Sequence, residues 1–165
     1  MKRLLGTSLA VVYMMAVAVR AADPPSLKEG LWSIHTSSTD QPGDKKTEGT
    51  RSICRNHAYD DRVRAAAKAR ATTCKIHTDN DSGSKFESES ECVVRGTTIH
   101  TKGITTASGA NATHTESSTT YNPAFYGISA STMIMDQKYV GACPAGMGPG
   151  DMMEADGRVV HRGKQ

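Results

Sequence analysis

The sequence predicts a mainly β fold: a β-rich α+β domain built as an antiparallel sheet, sandwich or partly closed barrel, with one short helix. Three observations carry this expectation. Short runs that alternate between Thr or Ser and aliphatic or aromatic residues recur along most of the chain, the period of a half-buried strand. Clusters of Gly, Pro, Asn and Asp separate these runs at short intervals, as turns do. A single segment, after Asn56, has a helical pattern instead.

Taken in order, residues 31–36 place Trp32, Ile34 and Thr36 on one face and predict a strand. Residues 37–49, with Asp40-Gln41-Pro42-Gly43-Asp44, predict a turn or exposed loop, and residues 50–54 a second short strand. Asn56 is a good N-cap for a helix over residues 57–70. Asp60 and Asp61 near its start and Lys68 and Arg70 near its end suit the macrodipole. Its apolar stripe, Tyr59, Val63, Ala66 and Ala67, is narrow. Residues 73–78 return to a strand that ends at the turn cluster 79–83. Phe86, Ser88, Ser90 and Cys92 then alternate with Glu87, Glu89 and Glu91, which gives one inward and one acidic, solvated face. Strands follow over residues 97–101, 104–107, 113–121 and 131–135, and a further apolar stretch over 139–143. The remainder is rich in Gly and Met without a period and is expected to be loosely ordered.

Charge separates the N-terminus from the rest. The chain of 165 residues carries a formal net charge of +3. Lys2, Arg3 and Arg20 supply that whole excess, and Lys plus Arg equal Asp plus Glu from Ala22 onward. A neutral body argues against nucleic-acid binding through counterion release. Residues 1–21 have a basic start, an apolar run and small residues at Val19 and Ala21, the pattern of a cleaved signal peptide. The expected organisation is therefore a signal peptide over 1–21, one domain over 22–143 and a flexible tail over 144–165. The expected location is the periplasm, with no membrane span after cleavage.

The expected core is thin, since the chain has one Trp and two Phe. The four cysteines Cys54, Cys74, Cys92 and Cys143 suit crosslinking in an oxidising compartment, and no C-x-x-C pair suggests zinc. Three pairings are possible. Cys54–Cys74 with Cys92–Cys143 is the preferred one, because it would clamp both ends of the helix and tie a central strand to the last. These loops would contribute about 3 and about 4 kcal/mol.

These features together resemble one family. Leu27-Lys28-Glu29-Gly30-Leu31-Trp32, then Cys54, then Cys74-Lys75-Ile76, then Cys92, and finally Gly141-Ala142-Cys143-Pro144 are similar in kind and order to the small exported proteobacterial proteins of DUF3617. The resemblance covers about Leu27 to Pro144. It implies a periplasmic, β-rich, disulfide-linked protein, with no assigned activity and no catalytic residues to transfer.

The residues themselves frame several chemistries. Trp32, Phe86, Tyr121, Phe125, Tyr126 and Met133 would form the wall of an apolar ligand site or, more simply, fill the core. His161 with Met147, Met152 and Met153 is a weak candidate set for copper or zinc. Arg62, Arg64, Lys68, Arg70 and Lys75 are a basic cluster that reads first as a solvated helix face, with an acidic partner or anionic lipid as the functional reading. No nucleophile elbow, P-loop or dinucleotide fingerprint is present. The expected function is a non-catalytic, cofactor-free envelope protein that binds a partner or ligand, with an apolar-ligand carrier or a metal binder as alternatives.

Overall fold

The Thr- and Ser-rich runs extend into long strands, because β-branched Thr suits a pleated, half-buried surface. A computed structural model describes residues 26–71 and 73–162. The strands are β1 (Gly30–Gln41), β2 (Lys45–Arg55), β3 (Ile76–Asp81), β4 (Lys85–Val94), β5 (Thr97–Ser108), β6 (Ala112–Phe125), β7 (Ile128–Gly141), β8 (Met152–Glu154) and β9 (Val159–Val160). The helix α1 (His57–Ala71) joins β2 to β3. All nine strands form one antiparallel sheet, ordered β3-β4-β5-β6-β7-β1-β2-β8-β9, that does not close into a barrel. The signal-peptide segment lies outside the described residues.

The turns are tighter than the sequence suggests. The exposed loop expected over 37–49 is mostly strand, and only Pro42-Gly43-Asp44 turns the chain between β1 and β2. Gly103 does not divide the two strands expected over 97–101 and 104–107. It lies inside β5 without a positive φ. Arg95-Gly96 and Tyr126-Gly127 are two-residue hairpin turns with positive φ at both positions, the geometry that fits strand twist.

The helix begins as expected. Asn56 Oδ1 accepts the Tyr59 amide at 2.8 Å, a side-chain cap. Residues 61–70 are exposed throughout, so the helix spans between β2 and β3 without packing its length into a core.

The core is small and sits at one end of the sheet. Trp32, Ile34, Ile53 and Met152 are buried together, with Leu27, Tyr59, Met135 and Tyr139 against them. Trp32 is fully buried. Its Nε1 donates to the Lys28 carbonyl at 2.8 Å, and the Arg55 guanidinium stands 5.2 Å from its ring.

The disulfide pairing differs from the sequence expectation. Cys54 pairs with Cys143 and Cys74 with Cys92, with Cα separations of 5.6 and 4.2 Å. The helix explains the difference. Fifteen residues of α1 rise about 22 Å, so they hold Cys54 and Cys74 far beyond the reach of one bridge. Leu31 is paired to Cys54 on one side and to Gly141 on the other, which brings Cys143 to Cys54. The Lys75 amide donates to the Glu91 carbonyl at 2.7 Å and sets Cys74 beside Cys92.

The tail expected to be loosely ordered joins the fold. β8 pairs with β2 through Arg51, Ser52 and Ile53, and β9 pairs with β8. The Cys54 amide donates to the Asp151 carbonyl at 3.0 Å, and the Gly150 amide to the Cys54 carbonyl at 2.7 Å. The Asp151 carboxylate accepts the amides of Gly148 and Arg162 and bonds the His161 ring at 2.9 Å. These contacts, the Gly148 amide first and then His161, lower its pKa below 3.8. A depressed carboxyl pKa stabilises the fold above the unfolded value and ceases to do so as pH falls through the folded one. Asp151→Asn is therefore expected to lower the melting temperature at pH 7. Melts at a series of pH values should show the gap to the wild type closing below about pH 4.

Candidate functional site

The sheet has two unlike faces. Along β7, Met133, Met135, Gln137 and Tyr139 are half-buried and alternate with exposed Thr132, Ile134, Asp136, Lys138 and Val140. The half-buried set shares the face of Trp32, since Trp32 stands opposite Tyr139. Registration carries this face across the sheet: Met133 pairs with Ser117, Ser117 with Gly103, and Gly103 with Ser88.

An open trough of about 710 Å³ runs over the backbone of this row on the opposite face of the sheet. Its lining is Ser88, Gly103, Ser117 and Met133 with their strand neighbours, among them Ile104, Ile134, Glu89 and Lys102. The volume is that of a small-molecule site. The walls are two rows of side chains on the face opposite Trp32, with Glu87, Ile104, Glu116 and Ile134 on one side and Glu89, Lys102, Ser118 and Thr132 on the other. Ser88, Gly103, Ser117 and Met133 therefore give backbone to its floor and point their side chains away. A Cβ added at Gly103 would meet its nearest neighbour, Ser88 Oγ, at 3.5 Å. Alanine therefore fits there, with its methyl group on the face away from the trough.

The lining is acidic, with Asp79, Glu87, Glu89 and Glu116 against Lys102. Glu89 Oε1 lies 2.7 Å from His100 Nε2 and 3.2 Å from Lys102 Nζ. Bonding from His100, then from Lys102, holds its carboxyl below the ordinary value. Glu87 is lowered in the same direction by Lys85, and Glu91 pairs with Lys75 at 3.4 Å. The acidic face read from the sequence is thus laced with cross-strand ion pairs. Farther along, the His114 ring bonds Asp136 at 2.6 Å and Glu116 at 3.1 Å. Asp136 first and Glu116 second raise its pKa above 6.5.

The structure distributes the six proposed wall residues among four places. Met133 lines the trough. Trp32 belongs to the core, and Phe86 lies on β4 with its side chain exposed. Tyr121, Phe125 and Tyr126 form their own cluster near the β6–β7 turn, with Tyr121 and Phe125 stacked at 6.1 Å and Phe125 edge-on to Tyr126 at 4.6 Å. Among the candidate metal residues, Met152 is in the core, Met153 lies on β8 opposite Ser52, and His161 bonds Asp151. Met147 is half-buried in the segment before Gly148. His77 falls on β3. No group of three His, Cys, Asp or Glu that could hold a metal occurs among the described residues.

Ser88, Gly103 and Ser117 were not singled out by sequence. Each is an unremarkable small residue, and only the strand register makes them one row.

Fold and site together define a disulfide-braced domain of one open antiparallel sheet, with a small core at one end and a trough over its middle. Residues 27–143 match the family described as protein of unknown function (DUF3617), and the chain belongs to that family. None of the curated proteins compared with the chain matches it. The family match ends at Cys143, so β8 and β9 lie beyond it. No helix among the described residues is long and apolar enough to cross a membrane.

Proposed function

We propose that this is a non-catalytic binding protein of the cell envelope, exported to the periplasm, whose trough takes a small, largely apolar ligand. The observation that carries the reading is the trough of about 710 Å³ over Ser88, Gly103, Ser117 and Met133. It lies on the other face of the sheet from the small core around Trp32, between the row of Ile104 and Ile134 and the row of Lys102 and Thr132. The export part of the reading has two supports: disulfides persist in oxidising compartments, and residues 1–21 have the pattern of a signal peptide. Metal handling by His161, Met147, Met152 and Met153 has less support, because Met152 is committed to the core and His161 to Asp151.

Titration with a dansyl-labelled fatty acid tests the reading. The wild-type protein is expected to bind it saturably at one site. Ile104→Asn combined with Ile134→Asn is expected to weaken binding at least about tenfold by removing the apolar wall of the trough, while Gly103→Ala, whose methyl group lies on the other face, binds nearly as the wild type does. The absence of saturable binding by the wild type, or equal binding by the double asparagine variant, would contradict the proposal.

A further inference from the structure

The end of the sheet opposite the core carries a second surface. Two neighbouring hairpin tips meet there, because β5 and β6 are adjacent and Arg95 Nη1 donates to the Tyr126 hydroxyl at 2.8 Å. Tyr126 is 79% exposed, Val93 65% and Val94 41%, an apolar patch with nothing folded over it among the described residues. The Cys74–Cys92 bridge brings the C-terminus of α1 to the same end. Lys68 and Arg70 in the last helical turn and Lys75 beside the bridge are therefore carried to the same end as Arg95 at the tip. The neighbouring carboxylate Glu91 lies 3.4 Å from Lys75.

We propose that this end docks on an anionic lipid bilayer, with Tyr126, Val93 and Val94 entering the interface and the four cations facing lipid phosphates. Two kinds of group argue for a bilayer over a protein partner. Tyrosine seats its ring at the headgroup level, and Lys and Arg around an apolar tip match an anionic surface. Tyr126 sits on a turn and Val93 and Val94 end β4, at the outer limit of the strands, where they reach a flat surface without moving the sheet. In that orientation the core end, with Cys54, Cys143 and the C-terminal hairpin, faces away from the membrane. The surface is independent of the trough, so Ile104→Asn combined with Ile134→Asn leaves docking unchanged.

Flotation of the disulfide-intact protein with vesicles tests the proposal. Vesicles of equal parts phosphatidylethanolamine and phosphatidylglycerol are expected to carry the protein, and vesicles of phosphatidylcholine alone are not. Tyr126→Ser combined with Val93→Ser should lower partitioning about tenfold, and Arg95→Gln about fivefold. Val140→Ser, at an exposed apolar position near the core end, should bind as the wild type does. All these side chains lie outside the core, so circular dichroism melts should overlay and folding does not confuse the result. Equal flotation with both vesicle types, or unchanged flotation of the tip variants, overturns the proposal. So does a failure to float together with a protein captured by a photocrosslinker at position 126.

Discussion

Simultaneous replacement of Cys54 and Cys143 by Ser is expected to destabilise the protein by about 4.5 kcal/mol. In the chain-entropy account the contribution of a bridge rises with the loop that it closes, and this bridge spans a sequence separation of 89. It joins the end of β2 to the segment after β7, across the start of β1. Those strands surround the buried cluster of Trp32, Ile34, Ile53 and Met152. Small domains have about 5–15 kcal/mol of net stability, so one bridge makes up a large share of it. Urea unfolding followed by circular dichroism measures the loss. The Cys74–Cys92 bridge spans a separation of 18, and its removal should cost less, about 3 kcal/mol.

Trp32→Ala is expected to be nearly as damaging, at about 3–5 kcal/mol. The ring is fully buried, lies 6.1 Å edge-on from Tyr139 and is bonded to the Lys28 carbonyl. Few other residues share the burden, since Ile34, Ile53 and Met152 are the remaining buried members of its cluster. Removing the indole also leaves the Arg55 guanidinium without its ring. Trp32→Phe should retain much of the packing and lose mainly the hydrogen bond, about 1 kcal/mol. Because Trp32 is the sole Trp, far-UV circular dichroism must report both unfolding curves.

The β class and the helix after Asn56 were legible because both rest on local periods and a local cap. The face of Trp32, Ile34 and Thr36 also holds in the structure, whereas on β4 the expected inward Phe86 is exposed and the expected solvated Glu87 and Glu89 are half-buried. Strand lengths were less legible. A Gly inside a Thr-rich run reads as punctuation, yet Gly103 continues β5, because a strand pair tolerates a missing side chain when its neighbours remain in register. The cysteine pairing needed one step more than adjacency in sequence. A rigid helix between Cys54 and Cys74 already forbids their union, and its length is readable from the residues. The C-terminal strands were hidden because Met152 and Val160 gain meaning only when β2 offers an edge. The trough was hidden for the same reason. Its small residues come from three strands, and register, a long-range property, aligns them.

The central claim is that the middle of the sheet, and not the aromatic residues, receives the ligand. Backbone NMR of the isotope-labelled protein, titrated with the dansyl-labelled fatty acid, tests it most directly. The amides of Ser88, Gly103, Ser117 and Met133 should shift together along one saturable curve, while those around Trp32 stay in place. Shifts confined to the Trp32 cluster or to the Tyr121–Phe125–Tyr126 cluster, with the Ser88–Met133 row unmoved, would contradict the account.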